Sequence, residues 1–209
     1  MGIMQMLPLP SAARTAVALA LMDYTLYLWH LLLHRSPALW RLHEPHHADL
    51  DLDASTAARF HFLEFVASIP WRAAQIVLIG VGPRTLALWQ RLTLVEVFFH
   101  HSNVRLPFGL ERWLARLVVT PRLHGIHHSV VRSERDSNFS SSLTLWDHLH
   151  GTVRTDVPQR RITIGLPNHR APEPLTHVLS MPFARGAENP QASGQGAVVG
   201  SSSVPTLLR

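Results

Sequence analysis

Two histidine triplets with the same internal spacing constrain this chain more than any other feature: His43-Glu44-Pro45-His46-His47 and His124-Gly125-Ile126-His127-His128. His30 and His34 form a third group upstream, and His100-His101 a fourth between the triplets, so ten of the 15 histidines fall in four tight groups. Residues three and four apart share a helix face, about 5–6 Å from one another. H-x-x-H-H therefore sets its first histidine beside both later ones, and H-x-x-x-H does the same for His30 and His34. Imidazole is the commonest metal-binding side chain, so the spacing points to helices gathered around a metal centre. A lone histidine is more often a surface or satisfied core residue. Three independent groups at ligand spacing argue against that reading here.

The count bears on the kind of centre. A tetrahedral zinc takes four ligands, three of them from protein at a catalytic site. The eight histidines of the two triplets and the His30/His34 pair exceed that number and imply two metals. If two further histidines join, each metal has five nitrogens and one open position, where dioxygen could bind.

His43-Glu44-x-x-His47 also matches H-E-x-x-H, in which two helical histidines bind zinc and the Glu activates water. Pro45 falls inside the element that must stay helical, and the second triplet has Gly125 where the Glu would stand. A zinc hydrolase would also leave His30, His46 and His127 unexplained. The chain has no Cys, which excludes thiolate zinc sites, iron–sulfur clusters and cysteine nucleophiles. All 19 basic residues are Arg, as a GC-rich bacterial genome would give, and the pI is about 11.1. A basic surface favours anionic lipid or nucleic acid. With no helix-turn-helix, RNA-binding or zinc-finger signature beside it, a membrane is expected and nucleic acid is not.

Residues 15–33 have the length of a membrane span, about 20 residues, and carry Asp23 and His30 inside it. Ionisable groups in such segments usually face a bundle interior or a site. The periodicity and the breakers predict helices over 15–34, 37–49, 56–69, 71–82, 84–101 and about 111–119. Pro45 is expected to kink or open its helix, Pro70 to divide 56–69 from 71–82, and Pro121 to introduce the second triplet. Residues 138–151 read as an ordered connection. Residues 1–184 form one domain, and the Gly/Ser/Pro-rich stretch 185–209 reads as a disordered tail. No strand alternation argues for a sheet, so the fold class is all-α.

Taken in order, H-x-x-x-H, H-x-x-H-H, a middle histidine followed by Asn, and a second H-x-x-H-H resemble the fatty acid hydroxylase/sterol desaturase superfamily. Flanking residues follow the same pattern: Asp23, Tyr27, Leu39-Trp40-Arg41-Leu42, Thr56-Ala57-Ala58-Arg59-Phe60-His61 with Glu64, and His101-Ser102-Asn103-Val104-Arg105-Leu106-Pro107. So do Thr120-Pro121, Asp136-Ser137-Asn138-Phe139, Trp146-Asp147 and Gly151-Thr152. The resemblance covers about Leu21 to Phe183.

It implies membrane-embedded helices with a cytosol-facing, histidine-rich di-metal site, as in a bacterial inner-membrane enzyme. It also implies two non-haem iron ions, O2 as co-substrate and electrons from a separate electron-transfer protein, used to hydroxylate or desaturate a lipid C–H bond. The implied ligands are His30, His34, His43, His46, His47, His61, His101, His124, His127 and His128. Asp23, Asn103, Asn138 and Asp147 are implied to fix imidazole tautomers from behind. Iron fits because imidazole suits it and zinc has no redox chemistry. His148 and His150 stand where the family usually has Arg and Phe, and His100 is an extra neighbour of His101; packing or surface roles are expected for all three. Family members usually carry membrane helices upstream of the first group, and few residues precede Asp23 here. A truncated, non-catalytic metal-binding or partner-binding protein is therefore the competing reading.

Overall fold

The structure, a computed structural model, describes residues 2–169 and 171–184. The stretch 185–209, expected as a disordered tail, lies outside the described residues. Ten α-helices follow in order among them: α1 Ile3–Met6, α2 Ser11–Arg35, α3 Pro37–His47, α4 Phe62–Ile79, α5 Pro83–His100, α6 Phe108–Leu114, α7 Pro121–His127, α8 Arg132–Arg135, α9 Leu145–His150 and α10 Leu175–Ser180. No strand occurs among the described residues. The all-α expectation holds.

Local chemistry sets where the key helices begin. Pro stands in the first turn of α3, α5 and α7, where its missing N–H costs nothing and its fixed φ suits a helix. Ser36 Oγ accepts the N–H of Leu39 ahead of α3, and Thr120 Oγ1 accepts that of Leu123 ahead of α7. Gly80 closes α4 at φ 80°, a left-handed conformation that needs no Cβ.

Three expectations change. Pro45 lies inside an unbroken α3. Pro70 does not divide its segment: α4 runs through it, tied to α2 by Trp71 Nε1 to the Thr25 carbonyl and by Gln75 Nε2 to Thr25 Oγ1. Proline removes one backbone bond, and packing against α2 holds the turns on either side. The helix expected over 56–69 begins only at Phe62, because Thr56–Ala58 form a single tighter turn. Two smaller differences follow the breakers: α6 starts three residues early, and part of the 138–151 connection coils into α9.

α2 is the hub. It packs against α3, α4 and α5, while α5 also packs against α7. At one end Met4, Ala18, Met22, Ile79 and Trp89 form an apolar cluster. At the other, Trp40, Ala48, Leu166 and Met181 bind the 181–183 turn onto α3. Between them the interior is filled by imidazoles. α2 and α4 are each long and apolar enough to cross a membrane. Phe65, Val66, Ile69, Val77 and Leu78 of α4 and Leu92, Val95 and Phe98 of α5 are exposed. That outward apolar surface suits lipid better than water.

Candidate metal centre

Each triplet divides between two groups. His30, His34, His43, His47 and His127 form the first, and His46, His101, His124 and His128 the second; within each, the candidate ligand nitrogens lie within 4.8 Å of one another. The outer pair of the first triplet, His43 and His47, joins the first group, and the inner His46 goes to the second. In the second triplet the roles reverse: His124 and His128 serve the second group and His127 the first. Helix periodicity is the cause, since i and i+4 point the same way and i+3 lies to one side. All nine rings are buried.

The tautomers are set from behind. His30 Nδ1 donates to the Phe139 carbonyl at 2.8 Å, His127 Nδ1 to the Ser137 carbonyl at 2.8 Å and His101 Nδ1 to the Val97 carbonyl at 2.8 Å. His46 Nδ1 donates to the Arg59 carbonyl at 3.3 Å, and His43 Nδ1 lies 3.0 Å from Glu64 Oε2. Such partners behind a ring are usual for metal-ligating imidazole. The Nε2 atoms of His30, His34, His43, His47 and His127 are then buried with no protein partner.

In the second group the case for a cation is sharper. His46 Nε2 faces His101 Nε2 at 3.3 Å, His101 Nε2 faces His124 Nε2 at 3.0 Å, and His124 Nε2 faces His128 Nε2 at 3.1 Å. His46 and His101 have both committed their proton to a carbonyl. Their facing nitrogens therefore carry lone pairs only, and a shared cation relieves the repulsion. Burial pushes His46, His47, His124, His127 and His128 well below the usual 6.5, and nearby imidazoles add to it. His101 falls to about 4, again chiefly through burial. Neutral imidazole is the form that binds metal. The residues fit a two-metal site.

His61 does not join either group. Its Nδ1 accepts the Leu63 N–H at 3.2 Å as the cap of α4, and its Nε2 meets the Leu179 carbonyl at 3.2 Å. His100 is the converse. It is buried, its ring centroid lies 4.0 Å from that of His124, and its Nδ1 has no hydrogen-bond partner.

The four groups expected behind the ligands act less directly. Asn103 is exposed. Asp23 accepts the Leu143 N–H and Trp146 Nε1–H, joining α2 to α9 and the turn before it. Asn138 stands in the left-handed region at φ 53°. Its amide donates to the Leu123 and Arg154 carbonyls and its oxygen accepts the Arg154 N–H. This turn aims the Ser137 and Phe139 carbonyls at His127 and His30. Asp147 fixes it further by accepting the Phe139 and Ser140 N–H groups and the Thr152 hydroxyl. His150 stacks on Tyr24 and Tyr27, so it packs as expected; His148 is exposed. What spacing did not single out were the backbone carbonyls, which carry no side-chain signature.

A cavity of about 310 Å³ opens beside the centre. His30, His43, His46 and His101 border it at one end, with Trp29, Phe65 and Val97 among its apolar walls. A largely apolar pocket with a few convergent polar groups is the usual form of a small-molecule site.

Helices with an apolar exterior around two adjoining groups of buried imidazole that could each hold a metal ion define a membrane-type helical protein with a candidate metal centre. A family model described as fatty acid hydroxylase matches residues 15–152, and the chain belongs to that family. It is similar to ornithine lipid hydroxylase OlsE of Rhizobium tropici, with 32% identity over 177 residues, 84% of this chain and 52% of that protein. Alkylglycerol monooxygenase of Homo sapiens is 27% identical over 69% of this chain and 31% of its own length. A cholesterol 25-hydroxylase-like protein of Danio rerio is 30% identical over 66% and 54%. The chain thus spans about half the length of these relatives, or less. No solved structure matches it.

Proposed function

We propose that this protein is an O2-dependent, non-haem di-iron oxidoreductase that hydroxylates or desaturates a C–H bond of a lipid in a membrane. The observation that carries the reading is the pair of adjoining buried imidazole groups, with the unprotonated Nε2 atoms of His46 and His101 facing one another, beside an apolar cavity. Nine buried nitrogen donors exceed what one zinc uses. A hydrolase built on His43, Glu44 and His47 would leave His30, His34 and His127 in the same group with no purpose.

Bound there, two iron ions would supply the redox chemistry that lets dioxygen attack an unactivated C–H bond. The chain's own residues do the rest. His30, His34, His43, His47 and His127 would hold one ion and His46, His101, His124 and His128 the other. The carbonyls of Phe139, Ser137 and Val97 and the Glu64 carboxylate hold the Nδ1 protons of His30, His127, His101 and His43, which would leave their Nε2 atoms as the metal-binding nitrogens. Trp29, Phe65 and Val97 exclude water and receive hydrocarbon.

Hydroxylation places one oxygen atom of O2 in the substrate and releases the other as water, so a separate electron-transfer protein supplies the reducing equivalents. The relatives are named for an ornithine lipid, an alkylglycerol and cholesterol, and what these share is hydrocarbon. A bacterial inner membrane with the centre on the cytoplasmic side suits that donor.

The test is purification in detergent, anaerobic iron loading and metal analysis, followed by O2 consumption with an artificial reductant and host lipid extract. About two irons per chain and lipid-dependent consumption are expected. Less than about one iron per chain would sink the proposal.

A further inference from the structure

α4 carries two charged side chains along an otherwise apolar surface, Glu64 and Arg72. Glu64 is accounted for by His43. Arg72 stands ten residues into the helix, roughly 15 Å along its axis. A charge at such a position in a segment fit to cross a membrane marks a substrate path or an internal partner far more often than chance.

Arg72 is exposed and makes no direct ion pair among the described residues; the Glu64 carboxylate, two turns back on the same helix, acts on it only through space. Its Nε–H donates to Ser68 Oγ at 3.1 Å, one turn back, and Ser68 Oγ donates in turn to the Phe65 carbonyl at 2.8 Å. That bond draws the side chain toward the histidine end of α4, the direction helical side chains favour. Neither Nη atom makes a hydrogen bond or ion pair among the described residues.

Arg72, Ser68, Gln90 and Thr93 border the same cavity as the histidines, as does Glu64, whose carboxylate is turned to His43. The lining therefore combines imidazoles, apolar side chains that include Trp29, Phe65 and Leu94, and polar groups that include one guanidinium. Only an amphiphile complements all three. A guanidinium fork with both Nη groups open matches the paired oxygens of a carboxylate or phosphate.

We propose that Arg72 binds the anionic group, carboxylate or phosphate, of the lipid substrate and thereby fixes which carbon meets the metal centre. This rests on the cavity being the substrate site of that centre. Ser68, which holds the guanidinium, lies on the order of 6 Å of helix rise from Glu64, the residue in contact with His43. Oxidation then falls on carbons near the anionic group rather than at the far end of the chain.

The experiment uses the full chain, iron-loaded, in neutral detergent. It measures displacement of a fluorescent acyl probe by three amphiphiles of one chain length: a carboxylate, a phosphate monoester and the uncharged alcohol. The expected result is tighter binding of an anionic form than of the alcohol by about tenfold or more. The carboxylate and phosphate arms report which group is preferred. Arg72→Gln should abolish the preference and leave alcohol binding unchanged. Arg72→Lys, which keeps the charge but not the fork, should restore part of it and guards against misfolding of the first variant. Equal binding of all three by the unaltered protein, or a preference retained in Arg72→Gln, overturns the proposal. So does an Arg72→Gln variant whose only change is weaker attachment to anionic vesicles, the result if Arg72 merely contacts the membrane surface. If no amphiphile binds, the cavity assignment falls too. Iron content of the same samples reports separately on the di-iron reading.

Discussion

Glu64 Oε2 lies 3.0 Å from Nδ1 of His43, joining the first turn of α4 to the last turns of α3. Both residues are buried, and the contact leaves His43 Nε2 as the one nitrogen free to face the first imidazole group. A residue outside the metal groups thus orients a residue inside them. Removing such a partner typically costs 10–100-fold in metal affinity. Glu64→Ala should therefore weaken metal retention by about that factor, measured by competition with a chelator. Glu64→Gln keeps an acceptor oxygen and should stay close to the unaltered protein. Equal losses in both variants would show that the carboxylate's charge, rather than its hydrogen bond, is what matters.

His127 contributes to the first group from the second triplet, so it links α7 to the candidate ligands on α2 and α3. His127→Ala should abolish turnover and lower iron by about one ion per chain, with helical content by circular dichroism unchanged. Retention of full iron content and activity would contradict the assigned grouping.

His61 and His100 offer a paired comparison. Both nitrogens of His61 are engaged by Leu63 and Leu179, whereas His100 lies against His124 with Nδ1 unpartnered. His61→Ala should cost about 1 kcal/mol through the lost helix cap and leave iron binding intact. His100→Ala should weaken iron at the second group. Thermal unfolding and metal titration of the two variants separate the effects, and the reverse ranking would return His61 to the ligand set.

Acid should destabilise the metal-free protein. Burial lowers His101 to about 4 in the folded state, against an ordinary value near 6.5. Below about pH 6.5 the unfolded chain then binds a proton that the folded chain refuses, so stability falls as pH drops. Its contribution is fully present above about 6.5 and is lost progressively toward about 4. His46, His47, His124, His127 and His128 shift in the same direction and steepen the loss. Melting temperatures of the metal-free protein should be level above about pH 7 and decline below it. A flat profile down to pH 4 would rule out neutral buried imidazoles.

Asn138→Ala should lower stability by about 2–4 kcal/mol, since it forfeits one buried and two part-buried hydrogen bonds and puts Ala at a positive φ that Asn tolerates better. Asn138→Gly keeps the backbone freedom and loses only the bonds, so it should fall between the two. Both should also weaken metal binding, because the turn aims the Ser137 and Phe139 carbonyls. Thermal unfolding with and without iron tests each part.

Much of the site was legible in one dimension because its information is local. Spacing of three and four residues put His43 with His47 and His124 with His128, and Ser36-Pro37 and Thr120-Pro121 marked where their helices begin. The misjudged places were those where packing outweighs local preference. Pro70 stays inside α4 because Trp71 and Gln75 bind Thr25 on α2. Apart from such breaks, His61 stands outside both imidazole groups in this fold: it caps the helix that starts one residue later, and its other nitrogen meets the Leu179 carbonyl.

The sequence alone determined that this protein is helical, that it carries histidines in groups at metal-ligand spacing, and that its family is the fatty acid hydroxylases. Those properties follow from residue type and from periods shorter than two helix turns. Only the tertiary structure decided which histidines gather into one group, because that depends on how α2, α3, α5 and α7 converge. It alone brought the Phe139 carbonyl to His30, 109 residues away in the chain, and Arg72 to the wall of the same cavity. Backbone carbonyls have no signature in a sequence, and a cavity exists only between elements; both are created by packing.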